Sequence, residues 1–90
     1  MKLYERINEG NWSPRGWKRG DKYCLANHAV QIYGETWVRV GPEKAIWPLI
    51  ATAIELLYPG RCVYGAIGDF NDHPETTLED VLRVCKLADV

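Results

Sequence analysis

Three side chains near the end of the sequence are of the types that carry acid–base or metal chemistry. Asp69, Asp72 and His73 supply two carboxylates and an imidazole, groups that serve as general acids, general bases or metal ligands. No second histidine and no nucleophile stands at a recognisable spacing from them. The stretch Asn71-Asp72-His73-Pro74 is also typical of a structural turn, because Asn and Asp side chains bond to nearby backbone groups. We therefore interpret Asn71, Asp72 and His73 as a turn before the final helix, keep them as candidate binding residues, and predict no catalytic residue.

Cysteine and histidine also occur at a spacing that suits a metal ion. Cys24 and His28 stand at i and i+4, which places them on one face of a helix. Two ligands do not make a zinc site, however, and helix packing accounts for both residues. The three cysteines, Cys24, Cys62 and Cys85, are widely spaced and odd in number, which is typical of buried thiols in a reducing compartment. The sequence predicts no metal site, no cofactor and no enzymatic activity.

The first 23 residues combine positive charge with aromatic side chains. They carry six basic and three acidic residues, a balance of +3, whereas the other 67 residues carry five basic and nine acidic ones, a balance of −4. Their aromatic residues are Tyr4, Trp12, Trp17 and Tyr23.

Three interpretations fit this N-terminal pattern. Cations beside aromatic rings are what single-stranded nucleic-acid binding requires, and tryptophan is a common anchor at protein interfaces. The third and preferred interpretation is that Trp12 and Trp17 pack an irregular segment onto a small core. The candidate binding residues at this end of the chain are Trp12, Trp17, Lys18 and Arg19.

Composition limits the class of protein. Ninety residues, 47% hydrophobic and 26% charged with a net charge of −1, predict one globular domain over residues 1–90. No apolar run approaches the roughly 18 residues that span a bilayer, and the N-terminus lacks the apolar core of a signal peptide. We expect a cytoplasmic protein that does not contact membranes.

Apolar spacing predicts a mainly α fold of three or four helices with an irregular or β-hairpin N-terminal segment. The predicted elements are a hairpin over Gly20-Asp21, helices over about 24–33 and 46–57, and a final helix of about three turns. That final helix starts with a capping box formed by Thr76 with Glu79 or by Thr77 with Asp80. Its apolar face, which includes Val81 and Cys85, is expected to pack against the 46–57 stripe. The patterns of residues 35–40 and 61–68 leave strand, helix and loop open.

Several short motifs, in order along the chain, match a known pattern. They are Asn11-Trp12, Gly16-Trp17, Cys24-Leu25, Ala53-Ile54 with Leu57, Phe70-Asn71-Asp72-His73-Pro74, and Thr76-Thr77-Leu78-Glu79-Asp80-Val81-Leu82. From about Tyr4 to its end, the chain resembles a small domain family of unknown function found in actinobacteria and their phages. The resemblance implies a compact, mostly helical fold in a bacterial or phage-infected cytosol, and it implies no activity.

Two functional hypotheses follow from these observations. The first is a non-enzymatic binding protein, such as a phage or bacterial accessory factor that engages a host protein. It depends on the supply of aromatic anchors and on the lack of a recognisable catalytic constellation. The alternative is a small nucleic-acid-associated factor that uses the basic, aromatic N-terminal segment.

Overall fold

Helices dominate the computed structural model, which describes residues 1–34, 46–62 and 67–90. The elements in chain order are α1 (Leu3–Arg6), β1 (Lys18–Arg19), β2 (Lys22–Tyr23), α2 (Leu25–Tyr33), α3 (Ile46–Leu57), α4 (Ile67–Asp72) and α5 (Leu78–Ala88). The prediction of a mainly α fold with an N-terminal hairpin is therefore confirmed. The described ranges hold five helices rather than three or four, since the four-residue α1 is too short to show an apolar period.

Helices α3 and α5 pack against each other at the centre of the core. Helix α3 buries Ile50, Ala53 and Ile54, and its stripe continues through partly buried residues at both ends. Helix α5 buries Val81 and Cys85, together with Val84. The predicted packing of the two apolar faces is confirmed.

Pro48 is exposed and lies in the first turn of α3, where its missing N–H costs no helical hydrogen bond.

The capping box of α5 distinguishes between the two predicted start positions. Thr77 Oγ1 accepts a hydrogen bond from the Asp80 N–H at 3.2 Å, and Asp80 Oδ2 accepts one from the Thr77 N–H at 3.0 Å. Thr77, rather than Thr76, is the N-cap. Asp80 also accepts the Tyr58 hydroxyl at 2.8 Å, so the cap connects the residue after α3 to the first turn of α5.

The first and last described segments meet in the core. Leu3 and Ile7 are buried, as is Val90, and all three belong to the core cluster. The Leu3 N–H donates to the Val90 carbonyl, and Lys2 Nζ donates to the Asp89 carbonyl at 2.9 Å. This pairing holds α1 against α5.

The sequence left the secondary structure of two stretches open, residues 35–40 and 61–68. Residues 35–40 lie outside the described residues, and so do residues 63–66 of the 61–68 stretch. Ile67, within that stretch, is the first residue of α4.

Among the described helices, none combines the length and apolar character that crossing a membrane requires.

Candidate binding surface

The Asn71 side chain joins three parts of the chain. It is fully buried at the end of α4. Its Oδ1 accepts hydrogen bonds from Trp12 Nε1 at 2.8 Å and from the Leu25 N–H at 2.9 Å. Its Nδ2 donates to the Ser13 carbonyl at 2.9 Å. Because buried polar groups are costly when unpaired, this amide fixes residues 12–13 and the start of α2 against α4.

Asp72, the next residue, contacts the same N-terminal stretch. Its Oδ1 accepts a hydrogen bond from the Gly16 N–H at 3.1 Å, and its side chain is exposed. Asn71 and Asp72 therefore bond to backbone groups distant in sequence. Both residues end α4, so the prediction that they form a turn with local backbone ties is wrong. Their side-chain partners lie in residues 12–25 and not in the adjoining backbone, and the fully buried Phe70 anchors the same turn of α4 in the core.

His73 begins the turn that the sequence did predict. Its N–H donates to the Phe70 carbonyl at 3.2 Å, and its own carbonyl accepts the Thr76 N–H at 3.0 Å. The imidazole Nδ1 accepts the Glu75 N–H at 3.1 Å. His73 thus shapes the connection to α5. Within the described ranges, no three His, Cys, Asp or Glu side chains are grouped as a metal site.

The β-hairpin has two different faces. Lys18 pairs with Tyr23 and Arg19 with Lys22, and residues directly opposite each other point to the same side of a sheet. Lys18 Nζ lies 5.8 Å from the centre of the Tyr23 ring, which in turn meets His28 edge-on. Tyr23 therefore packs towards the core with the exposed Lys18 beside it, and Arg19 and Lys22 lie on the opposite face of the hairpin.

The turn between the strands has a glycine-dependent geometry. Gly20 has a φ of +61°, whereas Asp21 is not among the residues with positive φ. Positive φ at the first central position alone is the pattern of a type II′ turn, which matches the twist of a two-residue hairpin loop. The predicted hairpin over Gly20-Asp21 is confirmed.

The two tryptophans of the N-terminal segment occupy different environments. Trp12 is half-buried against the core, and its indole N–H is bonded to Asn71. Trp17 is 54% exposed. The preferred interpretation of both as packing residues is thus correct for Trp12 and wrong for Trp17. Gly16, with a φ of +79°, and the Gly16 bond to Asp72 direct the chain outward at this point.

Trp17 lies within a positively charged area that we call the basic surface, formed by the exposed side chains of Arg15, Trp17, Lys18, Arg19 and Lys22. In the part of the chain that the structure describes, none of its four cations forms a salt bridge. An open cleft of 640 Å³ lies on this surface, lined by Ser13, Pro14, Arg19, Gly20 and Lys22.

A second hydrogen-bond network is centred on His28. His28 is fully buried; its Nδ1 accepts from Arg6 Nε at 3.2 Å, and its Nε2 lies 2.9 Å from the Asn11 carbonyl. Those partners require the neutral ring with its proton on Nε2. Burial lowers the pKa of His28, and the positive charge of Arg6 lowers it further against the opposing Asn11 hydrogen bond.

Cys24 and His28 are both committed to protein contacts. Cys24 is the N-cap of α2, and its Sγ accepts the Asn27 N–H at 3.4 Å. Burial raises the pKa of Cys24 and of Cys62, and raises that of Cys85 to about 12. All three cysteines are buried and free. They remain thiols at neutral pH, which makes them poor nucleophiles.

The fold brings together the two groups of residues that the sequence singled out separately. Asn71 bonds to the Ser13 carbonyl and Asp72 to the Gly16 N–H, immediately before Trp17 and Lys18. Sequence reasoning missed Lys22 and the Ser13-Pro14 wall of the cleft. The predicted hairpin could have identified Lys22, because a two-residue turn at Gly20-Asp21 places Lys22 opposite Arg19.

Comparison with protein-family models, curated proteins and solved structures finds no match to this chain.

Proposed function

We propose that this chain is a non-enzymatic binding protein that contacts a protein partner through the basic surface. The observation that carries the proposal is the 54% exposure of Trp17 among four cations that have no carboxylate partner in the described residues. Tryptophan and arginine are the residue types most often found at the energetic centre of protein interfaces. In this proposal the chain is a phage or bacterial accessory factor, and its partner is a host protein.

The backbone beneath Trp17 is fixed before any partner arrives. The Trp17 carbonyl accepts hydrogen bonds from Asn27 Nδ2 at 2.9 Å and from the Cys24 N–H at 3.3 Å. The preceding Gly16 N–H is bonded to Asp72. A side chain presented from an ordered backbone loses less conformational entropy on binding, which favours an interaction role for Trp17.

The alternative partner is a single-stranded nucleic acid, which the local charge of +3 over the first 23 residues favours. Such binding uses several aromatic rings on which successive bases stack. Of Tyr4, Trp12, Trp17 and Tyr23, Trp17 alone is exposed, and the other three are half-buried. One stacking ring suits a protein anchor better than a track for consecutive bases.

Affinity capture with crosslinking tests the proposal, using the full chain as bait in a lysate of the host cells. We expect at least one protein to be captured by the parent and lost with Trp17→Ala. Leu87→Ala is the matched control, because Leu87 is another large apolar residue, 51% exposed, on α5. Capture that Trp17→Ala leaves unchanged, or that Leu87→Ala abolishes equally, contradicts the proposed surface.

A parallel titration addresses the alternative. Single-stranded DNA is added to the purified chain at low salt and at about 1 M salt, where the Debye length is about 3 Å. Salt-sensitive binding that weakens in Lys18→Ala, Arg19→Ala and Trp17→Ala would favour the nucleic-acid function. We expect no such binding.

A further inference from the structure

The cleft on the basic surface carries an unbalanced pair of positive charges. Arg19 and Lys22 are directly opposite each other in the hairpin register, where Cβ atoms are about 5 Å apart. Like charges in that arrangement are destabilising, and no described carboxylate forms a salt bridge with either. Asp21, in the turn between them, does not line the cleft. An anion placed between the two side chains removes this repulsion.

We propose that this cleft binds a carboxylate-rich, extended segment of the protein partner, with Arg19 and Lys22 pairing its acidic side chains. The inference rests on the proposed function and names the chemistry of its ligand. Trp17 is exposed and lies two residues before Arg19 in the sequence, and it is assigned the apolar contact with a hydrophobic residue of the same segment. The planar guanidinium of Arg19 suits a carboxylate in a bidentate geometry, and the Lys22 ammonium acts as a compact second charge.

The charge distribution of the whole chain selects for such a ligand. Residues 11–23 contain four basic side chains and one acidic one, a balance of +3, while the entire chain has a net charge of −1. The remainder therefore carries −4. An acidic segment is attracted to the basic surface and repelled elsewhere, which both orients and accelerates its encounter with the cleft.

The walls of the cleft are held in place by hydrogen bonds from the core side. The Ser13 N–H donates to the Tyr23 carbonyl at 2.9 Å, and the Tyr23 N–H donates to the Asn11 carbonyl at 2.8 Å. Ser13 Oγ donates to the Arg15 carbonyl at 2.6 Å, and the Ser13 carbonyl is bonded to the buried Asn71. The cleft volume of 640 Å³ falls within the range of about 300–1,000 Å³ typical of ligand pockets, enough for a few residues of extended chain.

Fluorescence anisotropy with the purified full chain tests this inference. The probe is a dye-labelled peptide in which glutamates flank a central leucine, and the comparison peptide has glutamine in place of every glutamate. We expect the glutamate peptide to bind at least about tenfold more tightly, and to lose that advantage at about 1 M salt. Arg19→Gln and Lys22→Gln should each lower the affinity about fivefold.

Lys86→Gln is the matched control. It removes one exposed cation from α5, which lies outside the basic surface, and should leave the affinity of the glutamate peptide unchanged. Circular dichroism of each variant checks that the fold is retained. Equal binding of the two peptides, or equal weakening by Lys86→Gln, would overturn the assignment of the cleft. Tighter binding of single-stranded DNA than of the glutamate peptide, with the same dependence on Arg19 and Lys22, would overturn it in favour of a nucleic acid.

The affinity capture distinguishes failure of this inference from failure of the proposed function. The doubly substituted Arg19→Gln, Lys22→Gln chain serves as an additional bait beside Trp17→Ala. A partner lost with Trp17→Ala and with the double variant supports both proposals. If the partner is lost only with Trp17→Ala, the binding function stands and the acidic-segment inference fails. If it is retained by both variants, both proposals fail.

Discussion

Two fully buried polar side chains, Asn71 and His28, connect the N-terminal segment to the helices behind it. Both side chains are uncharged in these contacts, but only the His28 imidazole can become charged. The Asn71 side chain donates through Nδ2 and accepts through Oδ1. The neutral His28 ring carries one proton, on Nε2, and its Nδ1 accepts the Arg6 Nε–H. The Asn71 amide does not titrate, whereas the His28 contacts depend on pH because the imidazole can take up a second proton.

Stability should fall on acidification because of His28. Its pKa in the folded protein is lowered by burial and by Arg6, while the unfolded chain has a value near 6.5. Below about pH 6.5 the unfolded state binds more protons, so its free energy falls relative to that of the native state. This contribution to stability is complete above the unfolded pKa and is lost as pH falls towards the folded pKa.

The measurement is the urea midpoint at about pH 7.5 and about pH 5.5. We expect the fall in midpoint to be smaller in His28→Gln, which has no imidazole to protonate. His73→Gln is the matched control, because His73 is part-exposed and contacts a single backbone N–H through Nδ1. An equal fall for the parent and His28→Gln would show that other groups set the pH dependence.

The sequence predicted the elements whose signals are local. The stripe of α3 and the start of α5 were visible because apolar residues and caps recur at fixed short spacings. The hairpin followed from Gly20-Asp21. Helix α1 could not be predicted, since it is only four residues long and is held by Val90 at the other end of the chain. The inclusion of Asn71 and Asp72 in α4 likewise depends on partners far away in the sequence.

The N-terminal cap of α5 provides a prediction for one element. Thr77→Ala removes the side chain that accepts the Asp80 N–H, and should lower the free energy of unfolding by about 1 kcal/mol. Thr77→Ser keeps the hydroxyl and should recover most of that loss. Both values come from urea or thermal unfolding followed by circular dichroism at 222 nm. A loss in Thr77→Ser equal to that in Thr77→Ala would mean that the methyl group, rather than the cap, stabilises the helix.

At the scale of the whole molecule, the candidate site is made by contacts between distant parts of the chain. Lys18 and Arg19 were identified from composition alone, but their placement on opposite faces of the hairpin depends on the hairpin register. The exposure of Trp17 depends on Asp72 holding Gly16 and on Asn27 holding the Trp17 carbonyl. Composition does not encode such long-range contacts, so the sequence could propose both tryptophans as packing residues and could not separate their roles.

The buried Asn71 side chain joins the N-terminal segment to the rest of the molecule. Asn71→Ala deletes the bonds to Trp12, Leu25 and Ser13, each worth about 1 kcal/mol net. Residues 11–23 should then open more often while α3 and α5 stay packed. Native-state hydrogen exchange reads this at the Ser13 and Tyr23 amides, whose own acceptors are backbone carbonyls and not Asn71.

Those two amides should exchange on the order of 100-fold faster in Asn71→Ala than in the parent. The Val81 amide, bonded to the Thr77 carbonyl at 3.1 Å, should change much less because it reports on α5. Asp69→Ala is the control, since Asp69 is an exposed residue of the same helix α4, and it should leave all three rates unchanged. If all three rates rise together in Asn71→Ala, the segment and the helical core open as one cooperative unit. If none rises, contacts other than Asn71 hold the basic surface in place.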